Sequence, residues 1–438
     1  MKTLLIIAAS VAVIGIDATS TAAQQRDSLL LRLERRLDSL ERVIAEMRAQ
    51  QRDTTTATDE LAALRAAAQQ AAAEAGPARQ DTTPQSSRTR NLQVLNPEIS
   101  VTGDIVGNFV SPDGGNRNVS AVPREFEFSF QAALDPYTRT KVFVARHEDF
   151  EIAGFPEFHH EEEGEGEEGD AEEEEDGHGF EIEEGYMYWV GLPGGFGAKV
   201  GKFRQQIGLY NRWHTHALMD VERPLASTAF LGEDGLIQTG ASVTLPAFTL
   251  GPATQTFYVE ATAGTNEVLF ESGNEISYLA HAQSFWDLSP STYVQVGATG
   301  VTGENEEAGL KSRLLGLDFA FRWSPAAQSL YRDFQLKGEW YFAEREFADE
   351  LETGQGGYAQ ANYRLNRRWI VGVRGDYLDP FDDEPDIVQV APSLTFWQSE
   401  WVRLRLQYNY LKMDGGGANH TILLQTVWAM GPHKHETY

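Results

Sequence analysis

The chain has 438 residues, no cysteine and a formal net charge of −29. The absence of cysteine excludes disulfides, thiolate catalysis and cysteine-ligated metal sites. The acidic balance argues against a nucleic-acid partner, which needs a concentrated basic surface. No internal stretch reaches the ~20 consecutive apolar residues of a membrane-spanning helix. Helical membrane proteins are therefore excluded as well.

The first residues have the features of an export signal. Lys2 precedes an apolar run from Leu4 to Ile16, and small residues follow from Ala18 to Ala23. We expect residues 1–23 to be removed during export. A retained membrane anchor is the alternative, which the shortness of the run disfavours.

A helical segment is predicted over residues 24–75. Its apolar residues repeat with the spacing of a heptad seam, at Leu30, Leu33, Leu37, Leu40, Ile44 and Met47. The pattern predicts a short coiled coil, which is stable mainly where other contacts already hold the copies together. A single amphipathic helix lying on the barrel or the envelope is the alternative. Residues 76–96 are predicted to form a flexible linker, because Pro, Ser, Thr and Arg are frequent there.

From Pro97 onward the hydrophobic period changes to 2. Three phenylalanines alternate with polar residues between Arg124 and Gln131, and the segment from Trp401 to Tyr410 repeats the pattern. One side of such a strand faces an apolar medium and the other faces water. A soluble β-sandwich would show the same alternation. Strand length and loop length must therefore decide between the two folds.

Sixteen candidate strands have roughly the length of tilted transmembrane strands. They begin near Glu98, Arg124, Thr138, Phe180, Phe196, Leu236, Thr254, Tyr278, Thr292, Ser312, Arg332, Gly357, Arg368, Asp386, Trp401 and His420. Short turns alternate with longer connections, as in barrels with short periplasmic turns and long outer loops. We therefore predict an all-β transmembrane fold, a closed antiparallel 16-stranded barrel over residues 97–438, with both ends of the barrel chain on the periplasmic side.

Aromatic residues near predicted strand ends support this fold, since they form girdles at bilayer interfaces. These residues are Trp189, Phe196, Trp286, Trp323, Trp369, Phe396, Trp397 and Trp428. Ordinary core packing could explain any one of them, but explains their shared placement less well.

Residues 91–438 resemble bacterial outer-membrane porins, specifically sixteen-stranded trimeric barrels of the phosphate-selective type with an amino-terminal coiled coil. The resemblance is carried by the segment from Lys199 to Gly208, by the long third outer loop after it, and by the strand and turn pattern. It implies a homotrimer in the outer membrane of a Gram-negative-type envelope. It also implies a water-filled channel for passive diffusion of small polar or charged solutes and ions.

In that family the third outer loop folds into the barrel and narrows it. The matching segment is residues 204–235, and the resemblance places the constriction at Arg204, Arg212, His214, His216, Asp220, Glu222 and Arg223. Opposed charges across a narrow aqueous passage orient polar solutes, and the remaining gap limits their size. Hydrogen-bonded pore histidines are favoured over a metal site at His214 and His216, because two positions apart on a loop is weak ligand spacing.

The water-facing phase of the strands carries charges of both signs. Predicted pore-wall residues are Arg139, Lys141, Lys199, Lys337, Arg374, Arg403, Arg405, Glu127 and Asp376. A basic ladder that draws in anions and a set of charge-balanced pairs without selectivity explain these residues equally well.

The second outer loop, residues 148–179, is strongly acidic. Sixteen acidic residues and no Lys or Arg lie between Glu157 and Glu184. Such a run is predicted to be disordered in the absence of a ligand. Candidate ligands for a divalent cation are His159, His160, Glu161, Glu162 and His178. A solvated brush that attracts weakly bound cations is favoured over specific metal capture.

Other classes of function are less consistent with the sequence. No G-x-S-x-G elbow or H-E-x-x-H helix is present, so no enzyme activity and no catalytic residue are expected. We predict a porin without a cofactor, with outer-membrane lipid as a partner and peptidoglycan or periplasmic contacts through the amino-terminal helices. The alternatives are a zinc capture or uptake protein that uses the second outer loop, and a non-conducting envelope tether anchored by its barrel.

Overall fold

The computed structural model describes residues 97–112, 118–148, 179–270, 275–305, 309–348, 350–381 and 385–431. The predicted export signal, coiled coil and linker lie outside these ranges, as do residues 149–178 of the acidic loop. The described residues all belong to one compact unit, residues 86–438.

Long antiparallel strands make up most of the described chain. They are β1 Glu98–Pro112, β2 Asn118–Ala133, β3 Thr138–His147, β4 Glu181–Trp189, β5 Gly197–Arg204, β6 Ile237–Thr244, β7 Phe248–Leu250, β8 Ala253–Ala263, β9 Ile276–Ser289, β10 Thr292–Glu304, β11 Lys311–Trp323, β12 Phe334–Glu346, β13 Leu351–Arg364, β14 Trp369–Asp379, β15 Ile387–Trp397, β16 Val402–Met413 and β17 Ala418–Met430. The three-residue β7 pairs with the start of β8 and belongs to a turn. The other sixteen strands form the wall.

The wall closes on itself. Each long strand pairs antiparallel with its neighbours, β6 pairs directly with β8, and β17 pairs with β1 from Val101 opposite Met430 to Pro112 opposite Asn419. Closure leaves no strand edge, which a sheet inside a bilayer requires. The predicted closed antiparallel 16-stranded barrel is therefore confirmed.

Most predicted strand starts agree with the structure to within two residues, and two do not. Strands predicted near Arg124 and Gly357 begin six residues earlier, at Asn118 and Leu351. A bulge where Asp104 and Val106 of β1 face β2 interrupts the alternation around Pro123. The start of β13 contains three glycines, a composition that indicates a turn when only the sequence is considered.

The outer face of the barrel is apolar and the inner face is polar. In β11, exposed Leu315, Leu317 and Phe319 alternate with buried Gly316 and Asp318. Strand alternation therefore places a hydrocarbon-like surface outside and charged groups inside. The helices of the described residues are short, and none is long and apolar enough to cross a membrane.

Aromatic residues cluster at the end of the barrel that carries the short turns. Trp189, Trp323 and Trp397 are the last residues of β4, β11 and β15, and Trp369 is the first residue of β14. The rings of Trp369 and Phe396 lie 4.7 Å apart on neighbouring strands. This arrangement is that of an interfacial girdle at one rim.

The outer apolar face generates a prediction about stability. Leu317 lies near the middle of β11 and is 45% exposed, whereas Leu330 lies in the turn between β11 and β12 and is 61% exposed. We expect Leu317→Arg to reduce the free energy of unfolding in lipid vesicles by about 2–4 kcal/mol, and Leu330→Arg by about 0–1 kcal/mol. Guanidinium titrations measure both values. Equal costs at the two positions would contradict a bilayer around this face.

Candidate functional site

The connection between β5 and β6, residues 205–236, is called the inner loop because its side chains contact the inward-facing residues of the wall. It contains a 3-10 helix, Thr215–Ala217, and one α-helix, α1 Leu225–Leu231. Helix α1 buries Leu225, Phe230 and Leu231 in an apolar cluster with strand residues such as Tyr341 and Leu378. The loop is therefore packed against the wall along its length and does not extend into solvent.

The loop turns inward at Gly208. Its φ of +56° lies in the left-handed region, and a Cβ there would collide with the Glu339 carboxylate. The N–H groups of Leu209 and Tyr210 each donate to Glu339 Oε1 at 2.8 Å, and the Tyr358 hydroxyl donates to the same oxygen at 2.7 Å. A buried carboxylate on β12 thus accepts the hydrogen bonds that begin the turn.

Asp220 and Glu222 of the loop meet a buried arginine of β14. Arg374 contacts Asp220 at 3.0 Å, Glu222 at 3.0 Å and Asp376 at 2.8 Å, and all four side chains are buried or nearly so. Glu222 also accepts hydrogen bonds from the side-chain amides of Gln389, Gln407 and Asn409. The structure therefore brings predicted constriction and predicted wall residues into one network.

Two arginines of β16 contact the backbone of the loop. Arg403 donates to the carbonyls of His216 at 2.5 Å and Leu218 at 3.3 Å. Arg405 donates to the carbonyls of Asp220 at 2.5 Å and Leu218 at 3.0 Å. Both guanidinium groups are buried under the loop, so their main contacts are with main-chain oxygen atoms.

The histidines of the loop meet carboxylates on two strands. His214 Nδ1 lies 2.7 Å from Glu127 and 3.0 Å from Glu183, and its Nε2 lies 2.8 Å from Glu184. His216 Nδ1 lies 2.8 Å from Glu125. Burial opposes protonation of His214, but the Glu183 and Glu127 carboxylates outweigh it and raise its pKa well above the usual value. Glu125 likewise raises the pKa of His216 against the effect of burial.

The remaining arginines of the predicted constriction lie at the base of the loop. Arg204 ion-pairs with Glu183 and donates to the Asp234 carbonyl. Arg223 donates to the carbonyls of Trp213 at 2.9 Å and Tyr210 at 3.4 Å, and burial next to Arg204 lowers its pKa to about 10. Arg212 lines a small cavity together with Lys141 and His214.

The predicted basic wall residues on other strands lie beside aromatic rings or at the rim. Lys199 Nζ lies 4.5 Å from the centre of the Tyr186 ring, and Lys337 Nζ lies 5.7 Å from that of Trp213. Arg139 is exposed near the start of β3. Strand alternation turns Lys199 and Lys337 to the inner side of the wall, where these rings face their ammonium groups.

Among the residues that contact the loop and were missed in the sequence are two adjacent charged pairs, Arg124 with Glu125 and Glu183 with Glu184. A bulge lies beside each pair, one between β1 and β2 and the other between β3 and β4. A bulge adds one residue to a strand and re-aims a side chain, so two adjacent residues can both be buried on one side. Period-2 alternation assigns adjacent residues to opposite faces, so it did not predict that both members of a pair are buried. The one sequence feature that marks these positions is the adjacent acidic pair Glu183 and Glu184 at the end of the acidic run.

Comparisons with known proteins support the fold. No protein-family model matches the chain. An "Uncharacterized protein" of Aquifex aeolicus (strain VF5) is 27% identical over 305 residues, which are 58% of this chain and 63% of that protein. The match therefore spans less than two thirds of that relative.

Two solved structures share the barrel architecture. An anion-selective porin from Comamonas acidovorans has a TM-score of 0.51 at 10% identity, over 76% of this chain and 99% of that chain. The outer membrane channel DcaP of Acinetobacter baumannii has a TM-score of 0.51 at 8% identity, over 76% and 97% of the two chains. At these identities the likeness is one of fold, and the fold is that of outer-membrane porins.

The ion pairs of Arg374 generate a prediction about the loop. Arg374→Gln removes the cation that three carboxylates share, and removal of one partner of a buried ion pair costs about 3–5 kcal/mol. We expect this loss of stability to detach the inner loop from β14 without unfolding the strands of the barrel wall. Hydrogen–deuterium exchange should become faster in residues 218–231 and stay unchanged in β9–β11.

The matched control is Arg322→Gln. Arg322 pairs with Asp333 at 2.8 Å, its side chain is 40% exposed, and it lies on β11. An unchanged exchange rate in R374Q, or the same acceleration in R322Q, would show that the Arg374 ion pairs do not hold the loop.

Proposed function

We propose that the chain is an outer-membrane porin, a water-filled barrel for passive diffusion of small polar or charged solutes and ions. The inner loop narrows its passage. The observation that carries this proposal is the attachment of residues 216–222 to inward-facing side chains of β2, β13, β14, β15 and β16. A loop that several strands hold against the inside of the barrel occupies part of the cross-section of the lumen. Solutes would otherwise pass through that part.

The distribution of polarity supports this function. An apolar outer face fits hydrocarbon, and a polar inner face fits water and solutes. The predicted export signal supports location in the outer membrane, with the short turns on the periplasmic side. Charged groups of both signs face the lumen, and the arrangement creates a field across the passage that orients polar solutes.

Assembly as a homotrimer is part of the proposal. Three barrels side by side would present three copies of the seam from Leu30 to Met47 at high effective concentration, which compensates for its short length. We expect the full chain to sediment as a trimer in mild detergent and to dissociate more readily when residues 24–75 are removed. Monomeric barrels of the full chain under these conditions would contradict this assembly.

A non-conducting envelope tether is the main competing function. It has the same fold, so the two functions differ only in conduction. Single-channel recording of the purified protein in planar bilayers distinguishes them directly. Stepwise conductance supports the porin, whereas inserted protein without conductance supports the tether.

The position of the loop predicts the effect of shortening it. Removal of residues 215–229 takes away Asp220, Glu222 and most of α1, which occupy part of the lumen. We expect higher single-channel conductance and faster entry of larger sugars in liposome-swelling assays.

The control is a deletion of equal length in the acidic loop, residues 161–175. This variant should keep the size limit, because its deleted residues precede β4 and do not belong to the inner loop. Circular dichroism checks that both variants retain the barrel. Unchanged conductance in a folded 215–229 deletion would remove the inner loop from the constriction.

A further inference from the structure

Four buried side chains at the base of the inner loop converge on one point. Glu125 and Glu127 come from β2, Glu183 comes from β4, and His214 comes from the inner loop. One potential ligand atom from each lies within 4.8 Å of all the others. None of the four residues is more than 4% exposed. Three separate elements therefore place one imidazole and three carboxylates around a shared volume.

The donor set is one that first-row divalent metal ions accept. Imidazole nitrogen and carboxylate oxygen are both zinc ligands, at about 2.0–2.2 Å from the ion. Ligand atoms around a tetrahedral ion at these distances are about 3.3 Å apart. His214 Nδ1 lies 2.7 Å from Glu127 and 3.0 Å from Glu183. For these two contacts, shifts of about 0.3–0.6 Å would accommodate an ion in place of the Nδ1 proton, and Glu125 lies within the 4.8 Å span of the set.

The groups around this set are placed as outer-shell partners of a metal site. The other ring nitrogen of His214 contacts Glu184 at 2.8 Å, which is the carboxylate–histidine arrangement that orients metal-bound imidazoles. Glu125 Oε1 contacts His216 at 2.8 Å. Arg204 contacts Oε1 of Glu183, whereas His214 contacts Oε2. Glu183 thus keeps a separate oxygen for each partner, while the second oxygen of Glu125 accepts from the His216 backbone N–H at 3.1 Å.

The charges also favour a cation. Three carboxylates, at Glu125, Glu127 and Glu183, border this volume, Glu184 contacts the far nitrogen of His214, and Arg204 ion-pairs with Glu183. Buried carboxylates of like sign repel one another unless a cation compensates them. In the metal-free protein, Arg204 supplies one positive charge toward that compensation. A divalent ion would supply it with two charges at one point.

We propose that Glu125, Glu127, Glu183 and His214 bind one first-row divalent metal ion, which ties the inner loop to β2 and β4. The site is distinct from the acidic outer loop and is independent of whether the barrel conducts. The competing explanation is a metal-free network in which a His214 imidazolium is ion-paired to its carboxylates. Both explanations use the same residues, so direct binding decides between them.

The test is equilibrium dialysis of the full-length, chelator-treated protein against zinc in mild detergent at high salt. High salt suppresses loosely held counterions around the acidic loop. We expect one zinc ion per chain. Glu127→Gln and His214→Gln should lose it, and Glu184→Gln should weaken its affinity about 10–100-fold.

Two control variants locate the site. His281→Gln changes another buried inward-facing histidine, whose Nδ1 lies 2.7 Å from the Thr299 hydroxyl. A triple His159→Ala, His160→Ala, His178→Ala variant removes the imidazoles of the acidic region. Both should retain the zinc. Failure of the wild type to retain zinc, or retention by E127Q and loss in the triple variant, would overturn the proposal.

X-ray absorption on the zinc-loaded wild type keeps the test decisive if the variants do not fold. The proposed site predicts a single imidazole and a shell of oxygen atoms at about 2.0–2.2 Å. Two or more imidazoles in that shell would overturn the proposal, because His214 is the sole imidazole among its ligands. Neither measurement involves conductance, so its failure would leave the porin proposal intact.

Discussion

Closure of the sheet is the constraint on which the rest of the structure depends. A bilayer offers no hydrogen bonds to backbone groups, so every strand edge in it must be paired. Pairing of β1 with β17 meets this requirement and also creates an enclosed interior. Strand alternation then turns every second side chain inward, which explains why so many charged residues are buried in this chain. The polar interior is a consequence of closure.

The buried charges determine where the inner loop lies. Ion pairs such as those of Arg374 pay a desolvation cost that offsets much of their attraction, so they add little net stability. An alternative loop position would leave Asp220, Glu222 or Arg374 buried without its partner, and that is expensive. The network therefore works mainly by excluding other arrangements. The apolar packing of α1 against Tyr341 and Leu378 adds attraction that does not depend on direction.

The sequence was informative where one physical rule acts over many residues. Alternation and turn composition were sufficient to predict the sixteen strands, because each strand repeats the same preference for one apolar face. Alternation predicted the wrong face at the bulges beside Arg124 and Glu183. One extra residue in the strand there exchanges the inward-facing and outward-facing positions. Predicted loop residues such as Asp220 and Glu222 do lie together, but their partner Arg374 is more than a hundred residues away. Such pairing depends on the register of distant strands, which local patterns do not contain.

The contacts of Arg403 and Arg405 with main-chain carbonyls also affect how this loop can change during evolution. A carbonyl oxygen is present at every residue, so these contacts survive most side-chain substitutions at positions 216, 218 and 220. Homologous chains could therefore vary the chemistry of the loop surface while two fixed arginines on β16 keep its path. Variation in the loop and constancy in the wall would then be the expected pattern of divergence among barrels built in this way.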